Sequence, residues 1–343
     1  MKIALDATYS AGRNLTGLGV YSRAILEGLA AAHPESRFLW CYRPHRFLRS
    51  FLDAAPQNCR RRLLNSVHPP SANLFHSLNQ RIDWKPRGPA VATFHDLFVM
   101  TGDYSTPEFR ARFTSQAAAA AERSDLIIAV SAFTGLQVQQ LLKVEPGRIR
   151  VIHHGCIGID NARTASEREP MILFVGALQR RKNVARLVDA FERIAPGWKL
   201  VLAGSFGFGS DEILRRIQDS PCRDDIQTPG YVSSAQLDEL YRRASIFAFP
   251  SLDEGFGMPV LDAMAHGIPT LVSNVSALPE VSGGAALLVD PTDTNSIAAG
   301  LAQLIGDPAL RDTLIEKGFA RALEFSWEKA VEKTWNVYKE LLP

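Results

Sequence analysis

Two carboxylates and two glycines lie close together in the second half of this 343-residue chain. Gly255 and Gly257 allow the backbone to approach a ligand closely, and Pro259 suits the first turn of a helix. Unpaired N–H groups at a helix start attract an anion such as a diphosphate. Glu254 precedes this helix and Asp262 lies within it, and carboxylates accept hydrogen bonds from sugar hydroxyls. Together these features predict a nucleotide-sugar pocket, although either carboxylate alone is typical of a solvated surface.

A basic turn forms the second candidate site. Arg181 and Lys182 follow an apolar run and precede a segment with helical periodicity. Cationic side chains bind phosphate, and a loop that leads from a strand into a helix adds backbone N–H donors. A basic triplet by itself is typical of a solvated turn, but its place directly after a predicted strand favours diphosphate binding. We expect Arg180 to be the solvated member.

The first half carries weaker candidates at comparable positions. Gly17 and Gly19 follow the first predicted strand and could let backbone amides contact a phosphate, although a plain turn explains them equally well. His95 follows another predicted strand, where a histidine is commonly a structural residue, and Asp96 beside it can cap the loop. On residue type alone, neither group establishes a site.

Alternating patterns in the sequence indicate the strands and helices that must position these residues. Short apolar runs alternate with amphipathic segments of helical length, which predicts parallel sheets with helices on both faces. The pattern breaks in the polar stretch 158–170, so two α/β halves are expected, with a cleft between them and ligands at the carboxyl ends of strands. The predicted strands are Lys2–Ala7, Arg37–Tyr42, Leu74–Ser77, Ala90–Phe94, Asp125–Val130, Arg148–His153, Met171–Val175, Lys199–Ala203, Ser245–Phe249, Thr270–Ser273 and Ala286–Val289.

The composition is that of a soluble cytoplasmic protein. Charged residues make up 22% of the chain, and no apolar run approaches the roughly 18 residues of a membrane span. The first ten residues read as a strand and lack the features of a signal peptide. The four cysteines are scattered, which predicts reduced thiols and no zinc site.

The two halves differ in charge. Residues 1–157 contain 19 basic and 11 acidic side chains, a net charge of +8, whereas residues 158–343 have a net charge of −6. Different partners or mutual attraction of the halves would explain this asymmetry. If helical, segment 43–52 separates an apolar face from a basic face, and three arginines follow at 60–62. It is predicted either to pack into the core or to lie on an anionic membrane, which places the protein in the cytoplasm or at the inner face of the membrane.

The segment that begins at Glu254 resembles the signature of glycosyltransferase family 4, a group of retaining enzymes with the GT-B fold. The resemblance implies that Glu254 contacts the transferred sugar and that Asp262 holds the ribose hydroxyls of the donor. The family has Glu where this chain has Asp262, so the shorter side chain makes a longer or water-bridged contact an alternative. Gly255, Phe256 and Gly257 would border the donor.

The resemblance covers nearly the whole chain and implies further roles. Arg181 and Lys182 match the Arg and Lys that grip the donor diphosphate. Gly17 and Gly19 match a glycine-rich loop that meets the donor phosphate, and His95 matches a histidine that touches the donor sugar.

The implied architecture is GT-B, with two Rossmann-like parallel-sheet α/β domains that face a cleft. Residues 1–157 would form the acceptor domain, 158–170 a linker and 171–325 the nucleotide-sugar domain. Residues 326–343 resemble the closing helix that crosses back onto the first domain.

The expected activity is transfer of a hexose, with retention of configuration, from a nucleotide-diphosphate sugar to a glycan or lipid-linked acceptor. GDP-mannose is the first choice because the motifs resemble those of bacterial polysaccharide mannosyltransferases, with UDP-sugars next. No D-x-D pair is present to hold a divalent metal, so cationic side chains must stabilise the leaving group, and neither a cofactor nor nucleic acid is expected.

Two alternatives remain. The chain could be another GT-B enzyme, such as a nucleotide-sugar epimerase or hydrolase, or an inactive transferase-like subunit of a polysaccharide assembly complex. An NAD-dependent oxidoreductase is disfavoured because no GxGxxG motif follows the first strand.

Overall fold

The computed structural model divides the chain into two compact units. The first unit joins Met1–Gly155 with Ser326–Pro343, and the second is Cys156–Phe325. Each unit is built on a parallel β-sheet, of seven strands in the first and six in the second. The structure describes residues 1–12, 15–65, 70–156, 168–194 and 196–342.

The central strands of the first sheet are short, apolar and buried on both faces, as expected for a parallel sheet between helices. Its strands are β1 (Lys2–Asp6), β2 (Arg37–Tyr42), β3 (Cys59–Leu63), β4 (Leu74–Ser77), β5 (Ala90–Phe94), β6 (Leu126–Ala129) and β7 (Ile149–Val151). They lie in the order β3-β2-β1-β4-β5-β6-β7, so the order reverses between β1 and β4. The helices that precede the second unit are α1 (Gly17–Ala32), α2 (Pro44–Phe47), α3 (Phe98–Thr101), α4 (Pro107–Arg123) and α5 (Ala132–Leu142).

The second sheet repeats this arrangement. Its strands are β8 (Glu169–Val175), β9 (Lys199–Ala203), β10 (Ile226–Gly230), β11 (Ala244–Phe249), β12 (Thr270–Ser273) and β13 (Leu287–Val289). Their order, β10-β9-β8-β11-β12-β13, reverses between β8 and β11, the position at which doubly wound folds bind ligands. The remaining helices are α6 (Val184–Phe191), α7 (Ser210–Gln218), α8 (Ser234–Arg243), α9 (Met258–Ala265), α10 (Leu278–Ser282), α11 (Thr294–Gly306), α12 (Pro308–Ala322) and α13 (Trp327–Leu341).

Helix α13 returns to the first unit and packs against α1. A Cβ atom at Gly28 would lie 2.4 Å from Cγ2 of Val331, so the glycine lets the two helices approach. Trp335 and Tyr338 of α13 are buried in the core that α1 shares with the sheet. The last helix is therefore part of the first unit's core.

The predicted α/β architecture of two parallel sheets is confirmed, but two edge strands were not predicted. Strand β3 reads CRRRL and has no apolar run to mark it. Strand β10 contains Pro229, and its pairing with β9 is irregular between Gln227 and Gly230. Prolines and charges are typical of edge strands because one side of an edge is unpaired.

Two other expectations are corrected. Segment 43–52 is not one amphipathic helix, because α2 gives way to a 3-10 helix over Leu48–Leu52. Residues 158–167 of the predicted linker lie outside the described residues. The last two residues of that linker belong to a strand, because β8 already begins at Glu169. Among the helices that the structure describes, none is both long and apolar enough to cross a membrane.

Candidate active site

The candidate donor site lies where the second sheet reverses its order. Strands β8 and β11 are parallel neighbours, so the loops after Val175 and Phe249 leave the sheet side by side. Leu252 donates a backbone hydrogen bond of 2.8 Å to the carbonyl of Arg181, which ties the second loop to the first. The sequence motifs around Arg181 and Glu254 are thereby brought together.

The basic turn after β8 is rigidly held. Arg180–Lys182 form one turn of 3-10 helix, and Asn183 then adopts a left-handed conformation with φ 60°. The Asn183 side-chain amide donates to the carbonyls of Pro250, at 2.9 Å, and Pro291, at 2.7 Å. These bonds fix the end of the turn against the loop that follows β11.

Arg181 and Lys182 are buried, at 7% and 8% exposure. Arg180 is exposed, pairs with Glu212 at 3.1 Å and lies over the ring of Phe208. The turn therefore directs two of its cations inward and one towards solvent.

Glu254 joins the two buried cations. Its Oε1 lies 2.5 Å from Nζ of Lys182 and 2.9 Å from the guanidinium of Arg181. Lys182 also lies 4.5 Å from the centroid of the Phe249 ring, a cation–π contact. Buried charges at the ligand-binding edge of a sheet are typical of functional sites, because removing ions from water costs free energy.

The ionisation of Glu254 follows from these neighbours. Burial alone raises the pKa of a carboxyl, but Arg181 and Lys182 oppose it and the pKa of Glu254 is lowered. The backbone N–H of Glu254 donates to Oγ of Ser276 at 3.1 Å, and its carbonyl accepts from Ala277 at 3.2 Å. The carboxylate is thus held ionised and fixed in position.

The glycine-bracketed loop leads directly into α9. Gly257 has φ +106°, a conformation that favours glycine, and a Cβ there would lie 2.7 Å from Leu278. Gly255 and Phe256 are buried, and the Phe256 ring packs against Phe325 with centroids 5.9 Å apart.

Asp262 is half-buried on α9. The Cys156 thiol lies 3.9 Å from Oδ1 of Asp262, and the Asp262 carbonyl accepts from Nδ1 of His266 at 2.7 Å. Among the residues described, no group of three or more His, Cys, Asp or Glu side chains is placed to hold a metal ion.

His95 lies at the carboxyl end of β5 in the first unit. Its Nε2–H donates to the carbonyl of Leu78 at 2.9 Å, which makes Nδ1 the acceptor of the neutral ring. Burial lowers the pKa of His95 to about 4, partly opposed by the bond to Leu78. The ring is therefore neutral at physiological pH.

Gly17 and Gly19 lie within the first turn of α1. Gly17 is exposed, whereas a Cβ at Gly19 would lie 2.9 Å from the carbonyl of Tyr9. Gly19 is therefore required at least for close packing of the helix start.

Sequence reasoning overlooked a polar cluster at the carboxyl edge of the first sheet. Asp6, fully buried at the end of β1, pairs with Arg43 at 3.3 Å and accepts from Oγ1 of Thr8 at 2.5 Å. Arg43 also binds Asp83. The available signal was a charged residue at the end of each apolar run, KIALD and RFLWCYR, but their pairing across the sheet is not readable from one sequence.

Two family models match the chain. The model described as Glycosyltransferase Family 4 matches residues 16–156, and the model described as Glycosyl transferases group 1 matches residues 159–321.

Among curated proteins, O-antigen chain mannosyltransferase B of Escherichia coli is 31% identical over 290 residues, which cover 80% of this chain and 74% of that protein. Serotype-specific mannosyltransferase WbdA of Escherichia coli is 27% identical over 76% of this chain, but only 34% of WbdA is covered. The chain therefore spans about three quarters of the first relative and about a third of the second.

Solved structures share the fold. Sucrose-phosphate synthase from Thermosynechococcus elongatus superposes with a TM-score of 0.80 at 23% identity, covering 99% of both chains. Anabaena HepE in complex with UDP-glucose superposes with a TM-score of 0.78 at 17% identity, covering 99% of this chain and 100% of HepE. The chain thus has the GT-B type of architecture, with a parallel-sheet α/β domain in each half.

Proposed function

This chain belongs to glycosyltransferase family 4, and on that premise we propose that it transfers mannose, with retention of configuration, from GDP-mannose to a glycan or lipid-linked acceptor. The proposed donor site rests on one observation. The Glu254 carboxylate lies between Arg181 and Lys182, where the strand order of the second sheet reverses. A fixed carboxylate can read the sugar while adjacent cations bind the diphosphate.

In the proposed mechanism, Arg181 and Lys182 stabilise the charge that develops on the departing diphosphate. Their groups are preorganised, because the turn is fixed by Asn183 and little reorganisation is needed during reaction. The first turn of α9 adds backbone N–H donors. The acceptor hydroxyl attacks on the face that the diphosphate leaves, and a donor phosphate oxygen takes its proton, so no protein base is required.

Mannose is supported by relatives that are named mannosyltransferases. UDP-glucose is the competing donor, because HepE has been solved with it. A thermal-shift screen of the full chain with GDP-mannose, UDP-glucose, GDP and UDP separates the two, since a tight ligand raises the unfolding temperature. We expect shifts with GDP-mannose and GDP. Shifts with the uridine nucleotides alone would overturn the mannose assignment without affecting the family.

Product analysis tests the reaction itself. Incubating the enzyme with GDP-mannose and mannose-terminated oligosaccharides should give an α-mannoside, identified by its anomeric NMR signal, because GDP-mannose carries an α-linked sugar. A β-product would contradict retention. Free mannose at the same rate with and without acceptor would instead indicate a hydrolase.

The acceptor side is proposed to include an anionic membrane surface. A basic-apolar patch exposes three large apolar side chains, with 80% exposure for Leu48, 58% for Phe51 and 82% for Leu52. Phe47, by contrast, packs against the core of the first unit. The patch is completed by Arg49, which is exposed, and by Arg61, whose guanidinium lies over the Phe51 ring.

Apolar side chains beside arginines match the two components of an anionic lipid surface. Arg46 is not counted in the patch, because it donates to the carbonyl of Ala11. Arg60 and Arg62 are not counted either, because they leave β3 on the side opposite to Arg61.

A further inference from the structure

A chain of buried hydrogen bonds connects the last helix of the first unit with the strand that carries His95. The Tyr338 hydroxyl of α13 lies 2.6 Å from Nδ1 of His76, and Nε2 of His76 lies 2.8 Å from Oγ1 of Thr93. The same Thr93 oxygen lies 2.9 Å from the hydroxyl of Tyr21. All four side chains are no more than 2% exposed.

The side chains joined by these hydrogen bonds depend on one another. Burial, with a smaller effect of His95, lowers the pKa of His76 to about 3, so its ring is neutral and has one donor and one acceptor nitrogen. Tyr338 on one side and Thr93 on the other satisfy these two nitrogens. Removal of either hydroxyl would leave a buried ring nitrogen of His76 without its hydrogen-bond partner, which costs free energy. The side chains in this network therefore hold one another in one geometry.

The chain of bonds ends against His95. The Tyr21 ring meets the His95 ring edge-on, with centroids 4.6 Å apart and planes at 76°. The rings of His154 and His95 are stacked, with centroids 5.5 Å apart and planes at 17°. Thr93 lies two residues before His95, and Tyr21 contacts both side chains.

These contacts leave the His95 ring little freedom. Tyr21 bounds it at one edge, His154 stacks on it, and the Leu78 carbonyl accepts from Nε2. Rotation of the ring would break the bond to Leu78 and disturb the contact with Tyr21. The orientation of Tyr21 depends in turn on Thr93.

We propose that Tyr338, His76, Thr93 and Tyr21 are positioning residues that hold the His95 ring in one orientation, while the Leu78 carbonyl sets its tautomer with Nδ1 as the acceptor. The inference rests on the proposed contact between His95 and the donor sugar. A reacting group displaced by about 1 Å can lose about 100-fold in rate, so a network remote from the substrate can affect turnover.

The test uses conservative variants of the full chain that remove one hydroxyl each. Thr93→Val and Tyr338→Phe should lower kcat about fivefold, the equivalent of one buried hydrogen bond, while the donor KM stays unchanged. Thr334→Val is the matched control. Thr334 is fully buried on α13, and the one hydrogen bond described for its hydroxyl stays within that helix, to the Ala330 carbonyl at 2.7 Å. Its removal should therefore leave kcat unchanged.

A double-mutant cycle shows whether the effect passes through His95. In the His95→Ala background, Thr93→Val should cause no further loss of the residual turnover. Positioning would be refuted if Thr93→Val caused an equal loss of kcat in both backgrounds. It would also be refuted if Thr93→Val lost no kcat although His95→Ala is impaired. Either result would leave the proposed function intact. Full activity of His95→Ala would instead refute the donor contact of His95.

Nitrogen-15 NMR of the imidazole rings gives a readout that does not depend on activity. We expect wild-type His95 to show protonated Nε2 alone, and its ring signals to shift in Thr93→Val and Tyr338→Phe, because the Tyr21 ring that contacts His95 changes position. An unchanged His95 spectrum in both folded variants would contradict the inference.

Discussion

Oε1 of Glu254 lies 2.5 Å from Nζ of Lys182, although 72 residues separate them in sequence. The contact exists because β8 and β11 are neighbours in the sheet, so that the turn after one strand meets the loop after the other. Arg181 makes a second contact with the same oxygen at 2.9 Å. This arrangement of one carboxylate and two cations is the basis of the proposed donor site.

The ion pairs predict a pH dependence of stability. Arg181 and Lys182 lower the pKa of Glu254 below its ordinary value of 4.5, so the carboxylate stabilises the fold above about pH 4.5. This stabilisation should be lost as the pH falls below 4.5 towards the lowered pKa. We expect the unfolding free energy of wild type to exceed that of Glu254→Gln at pH 7, and the difference to shrink below pH 4.5. Urea titrations check this, and a constant difference from pH 7 to pH 3 would contradict it.

Arg181→Ala and Lys182→Ala should each weaken binding of GDP by about 1.5–3 kcal/mol, the value of a charge-assisted contact. Isothermal titration calorimetry measures the affinity of each variant for GDP. A parallel titration with UDP shows whether the loss of affinity depends on the base. Arg180→Ala is the matched control, because its exposed side chain pairs with Glu212. Unchanged affinity in both variants would place the diphosphate elsewhere.

Asp262 is predicted to bind the ribose hydroxyls through its half-buried carboxylate. Asp262→Ala should raise the donor KM about tenfold or more, since a hydrogen bond to a charged group is lost. Asp262→Glu restores the residue type of the family and should be tolerated. If Asp262→Ala retains the wild-type donor KM, the ribose contact is refuted.

The basic-apolar patch predicts salt-sensitive binding to vesicles that contain phosphatidylglycerol. Arg49→Glu with Arg61→Glu should abolish co-sedimentation, and Leu48→Ser with Leu52→Ser should weaken it. The control is the same charge change at two exposed lysines outside the patch, Lys333 and Lys339. Absence of wild-type binding at low salt would refute membrane contact and leave the patch to an acidic acceptor.

Local patterns predicted most central strands, because a buried parallel strand is an uninterrupted apolar run. Leu74–Ser77, Ala90–Phe94 and Thr270–Ser273 were predicted with the bounds that the structure shows. The edge strands β3 and β10 could not be found this way, since their arginines and proline are tolerated only where one side of the sheet is open.

The candidate site was predicted in its composition and not in its contacts. The motifs indicated Glu254, Arg181 and Lys182 separately, but their shared ion pair depends on strand order. The pair of Asp6 with Arg43 and the bonds of His76 were missed for the same reason. Their partners lie on different strands and helices, and no local spacing connects them.

Turnover of GDP-mannose with a mannose-terminated acceptor by Glu254→Ala tests the central claim most directly. The carboxylate is proposed to touch the transferred sugar, so transfer should fall by at least about 100-fold. Because the change removes the carboxylate that both buried cations contact, folding is checked by circular dichroism, and Glu254→Gln is assayed beside it. Glu212→Ala, which removes an exposed carboxylate beside Arg180, should retain wild-type turnover. Wild-type turnover by a well-folded Glu254→Ala enzyme would contradict the proposed donor site.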